Sequence, residues 1–269
     1  MWREEKIRAN EDGERASAGD IELRGVTFRY PGAEDDTLRD LNMKIKQGEK
    51  IAIVGFNGAG KTTLVKLLMR LYDPCSGGIL LNGKDIREYN LESYRSSFGV
   101  VFQDYKQFAL TVAENVLGRP MREGDDKIVE DCLRRAGIWD KISALPAGIY
   151  TRMTREFDDD GLILSGGESQ KLAIASVYAR NSTVVILDEP SSALDPIAEH
   201  EMYKQMYLAC EGKTMIFISH RLSSAVDADR IFLIEDGRIK ESGSHSELMS
   251  MNGSYAEMFK AQAESYTDA

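Results

Sequence analysis

Gly55-Phe56-Asn57-Gly58-Ala59-Gly60-Lys61-Thr62 spells G-x-x-x-x-G-K-T, and its flanks are the ones this pattern needs in order to work. The apolar run Ile51-Ala52-Ile53-Val54 precedes it and reads as a buried strand. Leu64, Leu67, Leu68 and Leu71 follow at helical spacing and predict a helix with one apolar face. The glycines let backbone N–H groups curl around an anion, and the helix N-terminus adds its partial positive charge. In such a loop, running to Thr63, the lysine (Lys61) reaches the β- and γ-phosphates and the Thr62 hydroxyl ligates Mg²⁺. The stretch implies a bound nucleoside triphosphate.

Composition narrows the setting. The chain has 269 residues, 42% of them apolar and 29% charged, with a net charge of −10. That balance suits a globular fold and argues against a nucleic-acid partner, which would select clustered Lys and Arg. It also disfavours direct adsorption to anionic lipid. Cys75, Cys132 and Cys210 are odd in number and lack metal-ligand spacing, so they read as reduced thiols. The apolar runs are too short to span a bilayer, and the N-terminus is charged rather than signal-like. A cytoplasmic chain is expected, with any membrane role supplied by a partner.

The order of segments predicts an α/β protein with an insertion. Residues 1–19 are polar and read as a linker or tail, and order is expected over 20–263, with a second tail at 264–269. Ile21-Glu22-Leu23 and Val26 to Tyr30 alternate as strands do, and Leu38, Leu41, Met43 and Ile45 suggest another. Asn82-Gly83 and Glu235-Asp236-Gly237 mark two hairpins. From about 90 to 165 the pattern is mostly helical, a lobe inserted into the α/β body. Val184 to Leu187 and Met215 to Ile218 are continuous apolar runs, as strands covered on both faces require. The tail from Ser246 to about Ala263 reads as helical.

Two further motifs decide among the uses of a phosphate loop. Val184-Val185-Ile186-Leu187-Asp188-Glu189-Pro190 is an apolar strand ending in two acids. In that geometry Asp188 holds Mg²⁺ and Glu189 orients and deprotonates the attacking water. Leu164-Ser165-Gly166-Gly167-Glu168 resembles the signature of ATP-binding-cassette (ABC) ATPases. The resemblance covers about residues 20–263. It implies a P-loop NTPase core of mixed or parallel sheet with flanking helices, an N-terminal antiparallel β subdomain and an inserted helical subdomain.

What the resemblance implies for the site follows residue by residue. Gln103 matches the glutamine that meets Mg²⁺ and the attacking water, and His220 the histidine that contacts the γ-phosphate. Tyr30 matches the aromatic that stacks on adenine. Ser192-Ala193-Leu194-Asp195 matches the loop that crosses the interface between two cassettes. Ser165, Gly166 and Gly167 would face the γ-phosphate held by a second cassette, identical or paralogous, so that ATP is sandwiched between the two. Ala228 to Ile231 together with Gly237 to Leu248 looks like the C-terminal pattern of exporter cassettes. It implies an ATPase on the cytoplasmic face of the cell membrane, joined to a transmembrane domain fused upstream or encoded separately. Phe102 to Asn115 and the acidic run Glu156 to Asp160 look most like peptide or bacteriocin exporters.

Two positions depart from the pattern: Glu168 stands where Gln is usual, and Ser176 where exporters commonly place Arg. Glu168 is expected to point sideways to a polar partner, and Ser176 to alter the packing and polar contacts of its helix but not the chemistry. A soluble ABC ATPase that transports nothing and a non-hydrolysing regulatory module are the competing readings. Intact Glu189 and His220 weigh against the second.

Overall fold

The computed structural model describes residues 7–101, 107–156, 161–180, 182–188 and 196–267, without side chains for 196–201 and 265–267. Its strands are β1 (Ile21–Phe28), β2 (Leu38–Ile45), β3 (Lys50–Val54), β4 (Ser76–Leu81), β5 (Lys84–Asp85), β6 (Phe98–Val101), β7 (Val184–Asp188), β8 (Thr214–Ser219), β9 (Arg230–Glu235) and β10 (Arg238–Gly243). Its helices are α1 (Lys61–Leu68), α2 (Leu91–Ser96), α3 (Val112–Leu117), α4 (Asp125–Arg135), α5 (Trp139–Ser143), α6 (Gly166–Ala179), α7 (Pro196–Ala209), α8 (His245–Met251) and α9 (Ser254–Thr267). The chain forms two compact units. The first holds Met1–Phe98, Thr183–Asp188 and Gly212–Ala269; the second holds Gly99–Ser182 and Glu189–Glu211. The second unit therefore reaches past the 90–165 lobe read from the sequence and takes in α6 and α7.

Two sheets build the first unit. In one, β1 lies antiparallel between β2 and β4, and β5 extends the edge. Its alternation slips at two places. Leu23 pairs with Met43 and Val26 with Leu41, then Phe28 pairs with Leu38, so a bulge in β1 is cancelled by one in β2. Gly25 and Asp40, both at positive φ, sit in those bulges and keep Ile21, Leu23, Val26 and Phe28 on the buried face. In the other sheet β3 lies between β8 and β9 in parallel, β7 continues beyond β8, and β10 is antiparallel to β9. Every residue of β7 and β8 is buried, which is why these strands read as unbroken apolar runs.

Local chemistry sets the boundaries. Asn82-Gly83 and Asp236-Gly237 both take two successive positive φ values, the type I′ turn that suits a two-residue hairpin. The helix expected to include Leu71 stops at Leu68: Arg70 adopts φ 52°, Arg70 N–H returns to Leu67 and Leu71 N–H to Lys66, closing the end. The single C-terminal helix expected from Ser246 is two helices. Asn252 turns left-handed at φ 49°, and the Glu241 carboxylate of β10 accepts the N–H groups of Ser254 and Tyr255 at 2.6 and 3.1 Å, capping a new start. Residues 7–19, read as a tail, run beside Glu88–Asn90, with Arg70 donating to the Arg8 carbonyl at 2.9 Å and Asn90 to that of Glu11 at 2.8 Å.

In the second unit, α3 and α4 pack on α6, burying Val112, Val116, Val129, Leu133, Leu172 and Ala175. Thr111 and Glu114 form a capping box at the start of α3.

The Asp236-Gly237 turn docks on the start of β2. Arg39 N–H donates to the Gly237 carbonyl at 2.8 Å, and a Cβ on Gly237 would lie 2.5 Å from the Thr37 carbonyl oxygen. Gly212 has nearly the same φ but open space around it. Gly212→Ala is expected to cost only the left-handed strain, about 1 kcal/mol. Gly237→Ala adds a backbone clash and should cost at least roughly 2 kcal/mol more. Urea denaturation of the two variants measures the difference, and equal losses would show that the turn can move away from β2.

Candidate functional site

β3 ends at Val54 and the chain enters the phosphate loop at once. Gly55 has φ 148°, and a Cβ there would stand 2.2 Å from the Ile234 carbonyl oxygen of β9, so this junction admits only glycine. Ala59 N–H closes the turn on the Phe56 carbonyl at 3.2 Å, leaving Phe56, Asn57 and Gly58 exposed while Ala59 and Gly60 are buried. α1 then begins at Lys61 without a side-chain cap and with no acid in its first turn. The starts of α3, α6 and α8 each carry a full capping box instead. The opening N–H groups of α1 thus carry no competing carboxylate, which suits an anion.

Side chains around that helix start concentrate positive charge. Lys61 is buried, and its Nζ donates to the carbonyls of Gly55 at 2.9 Å and Phe56 at 3.1 Å, tying the loop to its own helix. Thr62 is exposed. Thr63 is buried with its hydroxyl 3.1 Å from that of Tyr30. The Tyr30 ring is set edge-on against Phe28 and Tyr72, with centroids at 5.0 and 5.4 Å. Lys66 approaches the same hydroxyl at 3.5 Å. A cleft of about 590 Å³ beside the loop is lined by Asn57, Gly58, Ala59, Asp36, Arg39 and Asp236. Asp35 and Glu235 line it too, and these four carboxylates with the hairpin backbone make it a poor home for a triphosphate compared with the start of α1.

Parallel pairing brings two more predicted residues to this edge. Val54 of β3 pairs with Ser219 of β8, and Asp188 of β7 pairs with Ile218. The carboxyl ends of the three strands are therefore level, the usual binding edge of an open α/β sheet. Asp188 is buried there, 5% exposed, and half-buried His220 follows β8 directly. Gln103, Glu189 and Asp195 lie outside the described residues, as do Phe102, Asp104 and Ser192 to Leu194.

The signature segment belongs to the second unit. Ser165 is the N-cap of α6. Its hydroxyl accepts the Glu168 N–H at 3.4 Å, and the Glu168 carboxylate accepts the Ser165 N–H at 2.8 Å and Lys141 Nζ at 2.6 Å. The sideways partner expected for Glu168 is Lys141. The S-x-x-E spacing was a legible capping signal, whereas Lys141 sits too far away in sequence to be read. Lys141, then the Ser165 N–H and hydroxyl, hold the Glu168 carboxyl down at about 2, against 4.5 unperturbed. Gly166 and Gly167 are exposed, and a Cβ on either would meet nothing among the described residues within 4 Å. Ser176, buried in α6, donates back to the Ala173 carbonyl at 2.7 Å and so satisfies itself within the helix.

Loop and sheet together define a phosphate-loop nucleotide-binding protein of the α/β class. The family model described as ABC transporter matches residues 38–192, and the chain belongs to that family, which makes ATP its bound triphosphate. It is similar to a sophorolipid transporter of Starmerella bombicola, 41% identical over 97% of this chain and 20% of that protein. It is also similar to an ATP-dependent lipid A-core flippase of Methylobacillus flagellatus, 41% identical over 91% of this chain and 41% of that one. A solved bacterial Atm1-family ABC exporter with ATP bound matches 96% of this chain and 44% of its own, with a TM-score of 0.85 and 34% identity. The chain thus spans less than half the length of these relatives. None of the three is named as a peptide exporter, so they lend no support to the likeness drawn from Phe102 to Asn115.

The Glu168 carboxyl has a folded value below its unfolded one, so its contribution to stability is complete above about pH 4.5 and is lost as pH falls toward 2. Glu168→Gln keeps a capping amide but has no charge to titrate. Its unfolding free energy should therefore fall less than the parent's between pH 5 and about 2. Identical acid limbs in urea titrations would remove Lys141 and the cap as the cause.

Proposed function

We propose that this chain is the ATP-hydrolysing cassette of an exporter, working at the cytoplasmic face of a membrane as one of a pair. The observation that carries the reading is the shared edge of β3, β7 and β8, from which Lys61, Asp188 and His220 all emerge. ATP would lay its phosphates on the uncapped start of α1, with Gly55 to Thr63 as the cradle, and Lys61 would exchange loop carbonyls for phosphate oxygens. The Tyr30 ring, already fixed by Phe28, Tyr72 and Thr63, would stack on adenine at small entropic cost. The Thr62 hydroxyl and Asp188 carboxylate are hard oxygen donors, few in number, which suits Mg²⁺. Bound there with Gln103, the ion would neutralise charge on the triphosphate. Glu189 takes the proton of the attacking water, while His220 and Gln103 orient the γ-phosphate and that water.

A second cassette, a copy or a paralogue, supplies Ser165, Gly166 and Gly167 to the opposite side of ATP, and Asp195 lies at their interface. Support comes from the exposed glycine pair. Glycine within a helix costs up to about 1 kcal/mol relative to alanine. No contact among the described residues requires it at 166 or 167, and close approach by a second cassette would account for it. The helical unit also exposes Phe108, Leu110 and Tyr150, apolar side chains suited to a docking surface for a membrane domain. No helix of the described residues is long and apolar enough to cross a membrane, so the spans come from another segment or subunit. The names of the relatives favour transport over a soluble ABC ATPase.

Glu189→Gln is expected to lower phosphate release by at least roughly 100-fold while ATP still binds; turnover near the parent rate would remove Glu189 as the base. Gly167→Ala separates folding from function: thermal stability should hold or rise, by up to about 1 kcal/mol, while turnover falls. Unchanged turnover in that variant would mean that nothing approaches the glycine closely.

A further inference from the structure

The loop after β8 is held by a side chain that no motif contains. Within the loop, the Ser219 hydroxyl accepts the Arg221 N–H at 2.9 Å and donates to the Arg221 carbonyl at 3.0 Å, and the Ser224 hydroxyl donates to that same carbonyl at 2.7 Å. Two backbone groups on either side, the His220 carbonyl and the Leu222 N–H, are met by one residue of α9. Gln262 Nε2 donates to the His220 carbonyl at 2.7 Å, and Gln262 Oε1 accepts the Leu222 N–H at 2.9 Å. Leu222 is 1% exposed, so its N–H would be costly to leave unmet. A carboxamide carries a donor and an acceptor on one rigid plane. Glutamate lacks the donor and leucine lacks both.

The consequence falls on His220. Its imidazole is aimed by its own backbone angles, and the peptide that follows it is pinned at the carbonyl by Gln262 and one residue later at Leu222. α9 therefore reaches the reacting edge of the sheet from the far end of the chain. The same helix borders the phosphate loop, where Phe56 lines a cavity of about 280 Å³ together with Glu257, Met258 and Ala261. We propose that Gln262 is a positioning residue that sets the orientation of His220, making α9 part of the hydrolytic apparatus rather than a terminal appendage. This rests on the assignment of His220 to the γ-phosphate made above.

The test uses the whole chain with ¹³Cε1-labelled histidine. Only three histidines are present, so the His220 signal is assigned by its loss in His220→Ala. Gln262→Leu is expected to shift or broaden the His220 signal and leave that of His245 in place. Turnover should fall on the order of tenfold with KM for ATP nearly unchanged, since positioning is felt in the chemical step. Gln262→Glu, which retains only the acceptor and so still meets the Leu222 N–H, should lose less stability than Gln262→Leu and still lose turnover. Adding Gln262→Leu to His220→Ala should cost no further activity. An unmoved His220 signal, parent-like turnover, or a loss that adds in full to that of His220→Ala would each overturn the proposal. If the parent chain releases no phosphate and His220→Ala changes nothing, the ATPase assignment falls instead, while the His220 signal still reports the Gln262 contact.

Discussion

Strand β3 is paired in parallel along its whole length, with β8 on one side and β9 on the other, and the chemistry depends on where that pairing stops. Val54 opposite Ser219 and Asp188 opposite Ile218 bring three strand ends level. A one-residue slip would invert every side chain of a strand relative to its neighbours, and burial on both faces holds the register: Ile51, Ile53, Ile186 and Phe217 are all fully enclosed. Burying each such side chain is worth roughly 1.5–3 kcal/mol. Core packing is therefore what positions the phosphate loop, Asp188 and His220.

Two kinds of helix start stand in contrast in this chain. α3, α6 and α8 are closed by reciprocal Ser/Thr and Glu pairs, which satisfy the first N–H groups internally. α1 is left open, with a buried lysine where an acid would otherwise help. The signature helix α6 combines both features. Its cap is complete, and Lys141 draws the Glu168 charge aside, yet its first two residues are glycines that no contact among the described residues requires.

Much of this was legible because the decisive residues are contiguous. The strand, the glycine loop and the start of α1 fall within one short run, and both type I′ hairpins announce themselves as Asn-Gly and Asp-Gly. What escaped reading depends on partners remote in sequence. α1 ends early because an arginine, not a glycine, takes the left-handed position, and the C-terminal helix breaks because a carboxylate from β10 caps a new start. Lys141 lies 27 residues from Glu168, and Gln262 lies 40 residues from Leu222. Neither pair follows a local spacing rule, so only the fold brings them together. Residues 7–19 look like a tail by composition, but backbone carbonyls at Arg8 and Glu11 give Arg70 and Asn90 something to hold.

In the proposed pair, one chain supplies the phosphate loop and a second supplies the glycine face, so that neither hydrolyses ATP alone. The most direct measurement is steady-state phosphate release per chain as a function of chain concentration at saturating ATP and Mg²⁺. A composite site requires turnover per chain to rise with concentration and level off as the pairs fill. Finite turnover per chain that stays constant from dilute to concentrated protein would contradict a shared site, because the site would then be complete within a single molecule.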